Sequence, residues 1–351
     1  MAPITFLQPG RLETRTGGSI YNRRIVDGLR TMGHEIVVHE LDSTFPLAAD
    51  RAIEQASAIV TAVADRGVVI ADSLLVAALA DVLLREAARL HLLALMHLPV
   101  ALTPGLGSEI AERLGRREAR VLRVASRVVV TGRSMVDAVS THAADLSRVV
   151  VVEPGVDAAP VRQRSHEEGT LQLLCVANVV PGKGHDLLLD ALSALTTRPW
   201  HLTCAGSVTR DRRFVEKLAA QASDRGVASR VSFAGELDDD ALASAYAQAD
   251  LFVLPTRFET YGMAAAEAIA HGLPVVSTAT GAIPSIVGDL AGLVVAPDDV
   301  DALRGALALV MDDRSVRRRF RAGALRMRTR LRSWATAAQE FGHVVEAAAR
   351  G

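Results

Sequence analysis

Residues 251–276 read LFVLPTRFETYGMAAAEAIAHGLPVV. The opening run LFVLP has no polar alternation and predicts a strand buried on both faces, while the alanine-rich run after the loop predicts a helix opening at Gly262 or Met263. Gly-Leu-Pro then turns the chain into a second apolar run. This is a β-α-β unit, so its strands run parallel in an α/β sheet.

The same alternation extends outward in both directions. In the first half, strands are predicted at Ile4–Leu7, Glu35–Leu41, Gly67–Ala71, Leu90–Met96, Arg127–Val130 and Val149–Val152. Ile25, Leu29 and Met32 give the helix between the first two a single apolar face. In the second half they are predicted at Leu171–Ala177, His201–Ala205, Arg230–Ala234, Leu251–Pro255, Pro274–Thr278 and Leu293–Val295. Between the two series lies EPGVDAAPVRQRSHEEGT, residues 153–170, rich in Pro, Gly and charge and without periodicity, which predicts a linker. The expected division is a Rossmann-like domain over 1–160, a second over 161–332 and a terminal helix over 333–351, the two sheets facing each other across a cleft.

Composition agrees. A chain of 351 residues suits two domains of roughly 150 residues each, and half of it is hydrophobic with only 4% aromatic residues, which fits helices on parallel strands. A net charge of −1 argues against a dedicated nucleic-acid partner. The start MAPITFLQPG has no basic leader, and the longest apolar region, Val68–Leu84, is interrupted by Asp72 and Asp81, so no signal peptide or spanning helix is expected. Cys175 and Cys204 both sit in strand-like runs and are expected as buried thiols in a reducing cytoplasm.

In open parallel sheets ligands meet the loops after the strands, so the chemistry is sought there. Glu259 lies in such a loop, and Glu267, in the second turn of the next helix, leans back toward it because helical side chains point toward the N-terminus. A carboxylate can accept both hydroxyls of a ribose diol, and the free amides at the helix start near Thr260, Gly262 and Met263 suit a sugar or phosphate. After the strand beginning at Leu171, Pro181, Gly182 and Gly184 present Lys183 beside a helix N-terminus, a favourable place for a diphosphate. In the first half, Gly17 and Gly18 precede a helix that Ser19 or Asn22 is expected to cap, and His97 ends a strand and enters a proline-containing loop. Asp238, Asp239 and Asp240 precede a helix and are read as its cap, with no metal site. The basic stretch from Arg314 to Arg332 carries Phe320, Ala324, Met327, Leu331 and Trp334 on one helical stripe; with the basic region Arg113–Arg127 it is compatible with weak peripheral membrane contact.

These residues resemble glycosyltransferase family 4, the retaining enzymes of the GT-B fold. That family's hallmark is two glutamates with seven residues between them, as Glu259 and Glu267 have here, followed by Gly-Leu-Pro-Val at 272–275. The resemblance implies that Glu259 contacts the donor sugar and Glu267 the ribose hydroxyls, and that Lys183 and His97 join Glu259 in catalysis. It further implies that Gly17, Gly18 and the turn Gly235–Leu237 bring backbone to the donor, and that the last segment returns to the first domain. Two departures stand out: Asn178 occupies the place of an arginine five residues before Lys183, with Arg210 or Arg257 as candidate replacements, and Ala282 and Ser285 alter the loop 280–287.

The function so implied is transfer of a hexosyl group from a UDP- or GDP-sugar to a small-molecule or lipid-linked hydroxyl, with retention and no obligatory cofactor. A nucleotide-sugar epimerase on the same plan, or a sugar-nucleotide-binding protein without catalysis, are the rival readings.

Overall fold

The computed structural model describes residues 3–103, 105–140, 145–161 and 169–350. Residues 162–168 of the expected linker lie outside them. The chain divides into two compact units, residues 1–155 with 332–351, and residues 156–331.

The sheet of the first unit contains β1 (Ile4–Pro9), β2 (Ile36–Leu41), β3 (Val68–Asp72), β4 (His91–Met96), β5 (Arg127–Val130) and β6 (Val149–Val151). Its order is β2-β1-β3-β4-β5-β6, and its pairings are parallel. The sheet of the second unit contains β7 (Leu171–Val176), β8 (Trp200–Ala205), β9 (Val231–Gly235), β10 (Leu251–Leu254), β11 (Val275–Thr278) and β12 (Gly292–Val295). It is also parallel, in the order β12-β11-β10-β7-β8-β9. Every predicted strand is present, with ends shifted by no more than a few residues, and each unit is a Rossmann-like α/β domain.

Position in the sheet explains each strand's composition. β3, β10 and β11 are buried throughout, which demands apolar sequence over Val68–Ala71, Leu251–Leu254 and Val275–Val276, while the polar Asp72, Ser277 and Thr278 stand at the carboxyl ends. β9, at an edge, alternates between half-buried and exposed residues. Successive side chains take opposite faces: Ile4 and Phe6 enter one core layer of the first unit, while Leu7 enters the other.

The order of each sheet also locates its functional end. Strand order reverses between β1 and β3 in the first sheet and between β7 and β10 in the second, and in open parallel sheets the crevice beyond the carboxyl ends of such pairs is the usual place for a ligand. The loops singled out in the sequence follow β1, β4, β7, β9, β10 and β11, and those after β1, β7 and β10 lie at the reversal points.

Two local expectations are corrected. The helix Gly17–Thr31 is capped by Thr16, whose hydroxyl accepts the Ser19 amide at 3.1 Å, and not by Ser19 or Asn22. Thr16 has the extended backbone that a cap requires, whereas Asn22 lies inside the helix and is fully buried. The stripe from Phe320 to Trp334 is not one helix, because the helix Arg314–Met327 gives way to a 3-10 turn, Arg328–Arg330. A new helix, Trp334–Arg350, starts where the Ser333 hydroxyl accepts the Thr336 amide at 3.1 Å. This last helix packs on Gly17–Thr31, and the axes approach so closely that a Cβ on Gly28 would lie 2.2 Å from that of Ala338. Trp334 meets Tyr21 edge-on at 6.0 Å. The basic helix of the first unit is Ser108–Val124, with Arg127 already in β5. Among the described residues no helix is long and apolar enough to cross a membrane.

Candidate active site

In the second unit, the loops after β7 and β10 form one structure. Gly184 has φ +70°, and a Cβ there would lie 1.9 Å from the Pro255 carbonyl oxygen, so only glycine lets the Lys183 loop press onto the end of β10. The Arg257 amide and the Thr256 hydroxyl both donate to the Gly182 carbonyl, at 2.9 and 3.1 Å. Held in this way, the Lys183 ammonium forms an ion pair with Glu259. Both side chains are largely buried, at 28% and 17% exposure, so the pair is shielded more than a surface bridge and less than a core one.

Glu267 has a different partner. It lies on the helix Met263–Ala270, whose Ala265, Ala266, Ala268 and Ile269 are buried, and Gly262 starts this helix with φ +102°. The Tyr246 hydroxyl donates to Glu267 Oε2 at 2.9 Å. Tyr246 is itself buried and stacked on His271 at 4.8 Å, and burial followed by the charge of Glu267 pushes its phenol well above the usual value. It therefore stays protonated and donates. The structure thus gives Glu259 an ammonium and Glu267 a phenol as partners. Thr260 and Met263 are half-buried beside them.

Further positions fall on neighbouring loops. Asn178 Oδ1 accepts the Ser207 amide at 3.1 Å, so the residue in the arginine's place tethers the β7 loop to the β8 loop. Arg210 is exposed. Arg257 is taken up by Asp186 and Asp298. Gly235, with φ +71°, ends β9, and Leu237 follows it half-buried. Asp238 caps the helix Asp239–Gln248, its carboxylate accepting the Ala241 amide at 2.8 Å. Cys175 and Cys204 are buried free thiols, paired in register on β7 and β8.

In the first unit, Gly17 and Gly18 open their helix, and His97 follows β4. A Cβ on Gly18 would lie 3.3 Å from His97 Cδ2, so the glycine and the ring are direct neighbours. The sequence did not reveal what holds this histidine. His97 Nε2 lies 2.8 Å from Asn22 Oδ1 and 3.3 Å from Asp72 Oδ2. Asn22 Nδ2 donates to Gln8 Oε1 and to Asp72 Oδ2, both at 2.8 Å, which fixes the amide orientation. Facing two acceptors, Nε2 carries a proton. Burial raises the pKa of Asp72, but the hydrogen bond and charge of His97, the Leu74 amide and the Asn22 amide together hold it below the ordinary carboxylate value. The available signal was an acid at the carboxyl end of β3, beside the point where strand order reverses.

The loop after His97 has a buried anchor. Glu118 is 1% exposed among Val100, Leu114 and Ala77, and its Oε2 accepts the Val100 amide at 2.9 Å. Burial, opposed by that amide, pushes its pKa up to about 7. Because the folded value lies above the unfolded one, the protonated group's contribution to stability is present below the unfolded value of about 4.5 and is lost as pH rises through about 7. Thermal unfolding at pH 5 and pH 8 should therefore show Glu118→Gln gaining on the wild type at the higher pH. Equal gaps at the two pH values would place the Glu118 carboxyl in an ordinary solvated environment.

Comparison with known proteins connects the second unit to a family. The profile described as Glycosyl transferases group 1 matches residues 159–327. A D-inositol 3-phosphate glycosyltransferase of Jonesia denitrificans is 32% identical over 244 residues, covering 64% of this chain and 58% of the relative. A glycogen synthase of Mycobacterium tuberculosis is 32% identical over 241 residues, covering 67% of this chain and 57% of the relative. The chain thus spans less than two thirds of the length of these curated relatives. In fold, the sucrose-phosphate synthase of Thermosynechococcus elongatus superimposes with a TM-score of 0.81 at 20% identity, over 99% of this chain and 98% of that one. Anabaena HepE, solved with UDP and glucose, gives 0.74 at 18% identity over 98% and 99%. The fold is GT-B, and residues 159–327, within the second unit, match the group 1 glycosyl transferases.

Proposed function

We propose that this chain is a cytoplasmic glycosyltransferase that moves a hexosyl group from a UDP- or GDP-sugar to a small-molecule or lipid-linked hydroxyl, retaining the anomeric configuration. The observation that carries the reading is Lys183 beside Glu259 where strand order reverses in the second sheet, with Glu267 oriented by Tyr246 on the next helix. Relatives named as glycosyltransferases, and a similar fold solved with UDP and glucose, support it.

In this reading the Glu267 carboxylate accepts the ribose hydroxyls, and Lys183 with the amides of the following helix stabilises charge growing on the diphosphate. Glu259 contacts the sugar. The bond from the anomeric carbon to the phosphate oxygen breaks, and a bond to the acceptor oxygen forms on the same face. The acceptor proton passes to the leaving phosphate. On the first unit, the residues proposed to act on the donor are His97 and the amides of Gly17 and Gly18. No protein-held metal is required, because the charge is met by Lys183 and backbone dipoles; weak membrane contact through basic helices suits a lipid-linked acceptor.

The test is release of UDP or GDP from a panel of donors, with and without hydroxyl acceptors, and the anomer of the product. Acceptor-dependent release with the donor's anomeric configuration is expected. Sugar interconversion without release would mean an epimerase, and donor binding without turnover on any acceptor would mean a binding protein. An inverted product would end the retaining mechanism.

A further inference from the structure

Arg257 follows β10 by three residues, and in charge and position it suits a replacement for the arginine that Asn178 displaces. Its contacts say otherwise. Nη1 and Nη2 grip Asp186 in a two-pronged bridge, both at 2.9 Å. Nη1 also donates to the Pro181 carbonyl at 2.5 Å, and Nε donates to Asp298 at 2.7 Å. These contacts use most of the five donors of a guanidinium. Two carboxylates against one cation leave the cluster with a net negative charge, so an approaching phosphate meets no surplus positive charge from it.

What these bonds do is join three loops. Pro181 and Asp186 flank the Lys183 turn, Arg257 precedes Glu259, and Asp298 lies beyond β12. The backbone bond from the Arg257 amide to the Gly182 carbonyl runs through the same junction. Bidentate Arg–carboxylate pairs fix geometry as well as energy.

We propose that Arg257, with Asp186, is a positioning pair that sets the Lys183 loop against the Glu259 loop, and that neither side chain is a ligand of the diphosphate. Burial raises the pKa of Asp186, but the hydrogen bond and charge of Arg257 outweigh it and keep the carboxylate ionised. The proposal rests on the nucleotide-sugar reading for its ligand and on contacts within the second unit for its geometry.

The sign of one substitution decides it. Asp186→Asn removes a negative charge that competes for Arg257; if Arg257 bound phosphate directly, UDP or GDP would bind more tightly. A positioning pair predicts the opposite. Asp186→Asn and Arg257→Met should each weaken UDP or GDP binding by about 10-fold in calorimetry, the scale set by misplacing a binding group. Arg257→Lys should fail to rescue, because lysine lacks the fork. A second readout needs no ligand: both variants should speed hydrogen exchange at the amides of Lys183 and Gly184, with the rest of the β7 to β12 sheet still protected. Tighter or unchanged nucleotide binding in Asp186→Asn overturns the proposal, as does unchanged exchange in the loop. If the wild type binds neither nucleotide, the proposed function fails while the exchange measurement still decides the positioning role.

Discussion

Glu267→Ala is expected to weaken binding of free UDP or GDP by roughly 10- to 150-fold, or about 1.5–3 kcal/mol, the loss when charged hydrogen bonds to a ribose diol disappear. The carboxylate is half-buried on a helix whose neighbouring residues are buried, and the Tyr246 hydroxyl fixes one of its oxygens. It is therefore already oriented, and little binding energy is spent on ordering it. Tyr246→Phe tests that orientation, since it removes one hydroxyl and keeps the ring stacked on His271. It should weaken the same nucleotides in the same direction by less, while uridine or guanosine, which carry the ribose without phosphate, should lose affinity alongside the diphosphates in both variants. Wild-type nucleotide affinity in a folded Glu267→Ala protein would mean that the acid serves only its tyrosine.

The fold was legible in the sequence because it rests on local pattern. Strands such as Leu251–Leu254, and the stretch Val68–Ala71 of β3, are buried on both faces and must be apolar runs, which leave the same mark wherever they occur. The placement of the candidate site residues in the second unit was legible too, because they follow strands and are spaced by one loop and one helix. Side-chain partners across long sequence separations were not. Asn22 reads as a helix cap in isolation, and only folding shows it buried between Gln8, Asp72 and His97, contributed by three different segments. Asp72 reads as a polar interruption in an apolar region, although its burial makes sense only with the partners it finds in space. Arg257 shows the same limit: in the sequence it is a lone cation in a loop, and only the fold shows Asp186, 71 residues away, and Asp298, 41 residues away, paired with it. Pattern specifies which loops gather at a sheet end, and charge balance within them requires coordinates.

The second acid should respond to substitution with the opposite sign for nucleotide and for turnover. Glu259 is the ion partner of Lys183, so any diphosphate that takes up the Lys183 ammonium competes with this carboxylate. Removing the acid in Glu259→Ala frees the cation and lowers the negative potential around it, and UDP or GDP should bind at least as tightly as in the wild type. Coulomb attraction in a half-buried setting is strong enough for the gain to reach several-fold. Turnover should fall by about 100-fold or more, because contacts to the sugar count most as it approaches the transition state, and their loss lowers kcat more than it alters nucleotide affinity. Lys183→Ala supplies the contrast: it should weaken the diphosphate and slow the chemistry together, with uridine or guanosine unaffected. Calorimetry with UDP and GDP beside single-turnover transfer separates the cases. Were Glu259→Ala to weaken the free diphosphate as much as Glu267→Ala does, the division of roles between the two glutamates would collapse, and the bridge to Lys183 would be holding the loop in shape instead of competing with the ligand.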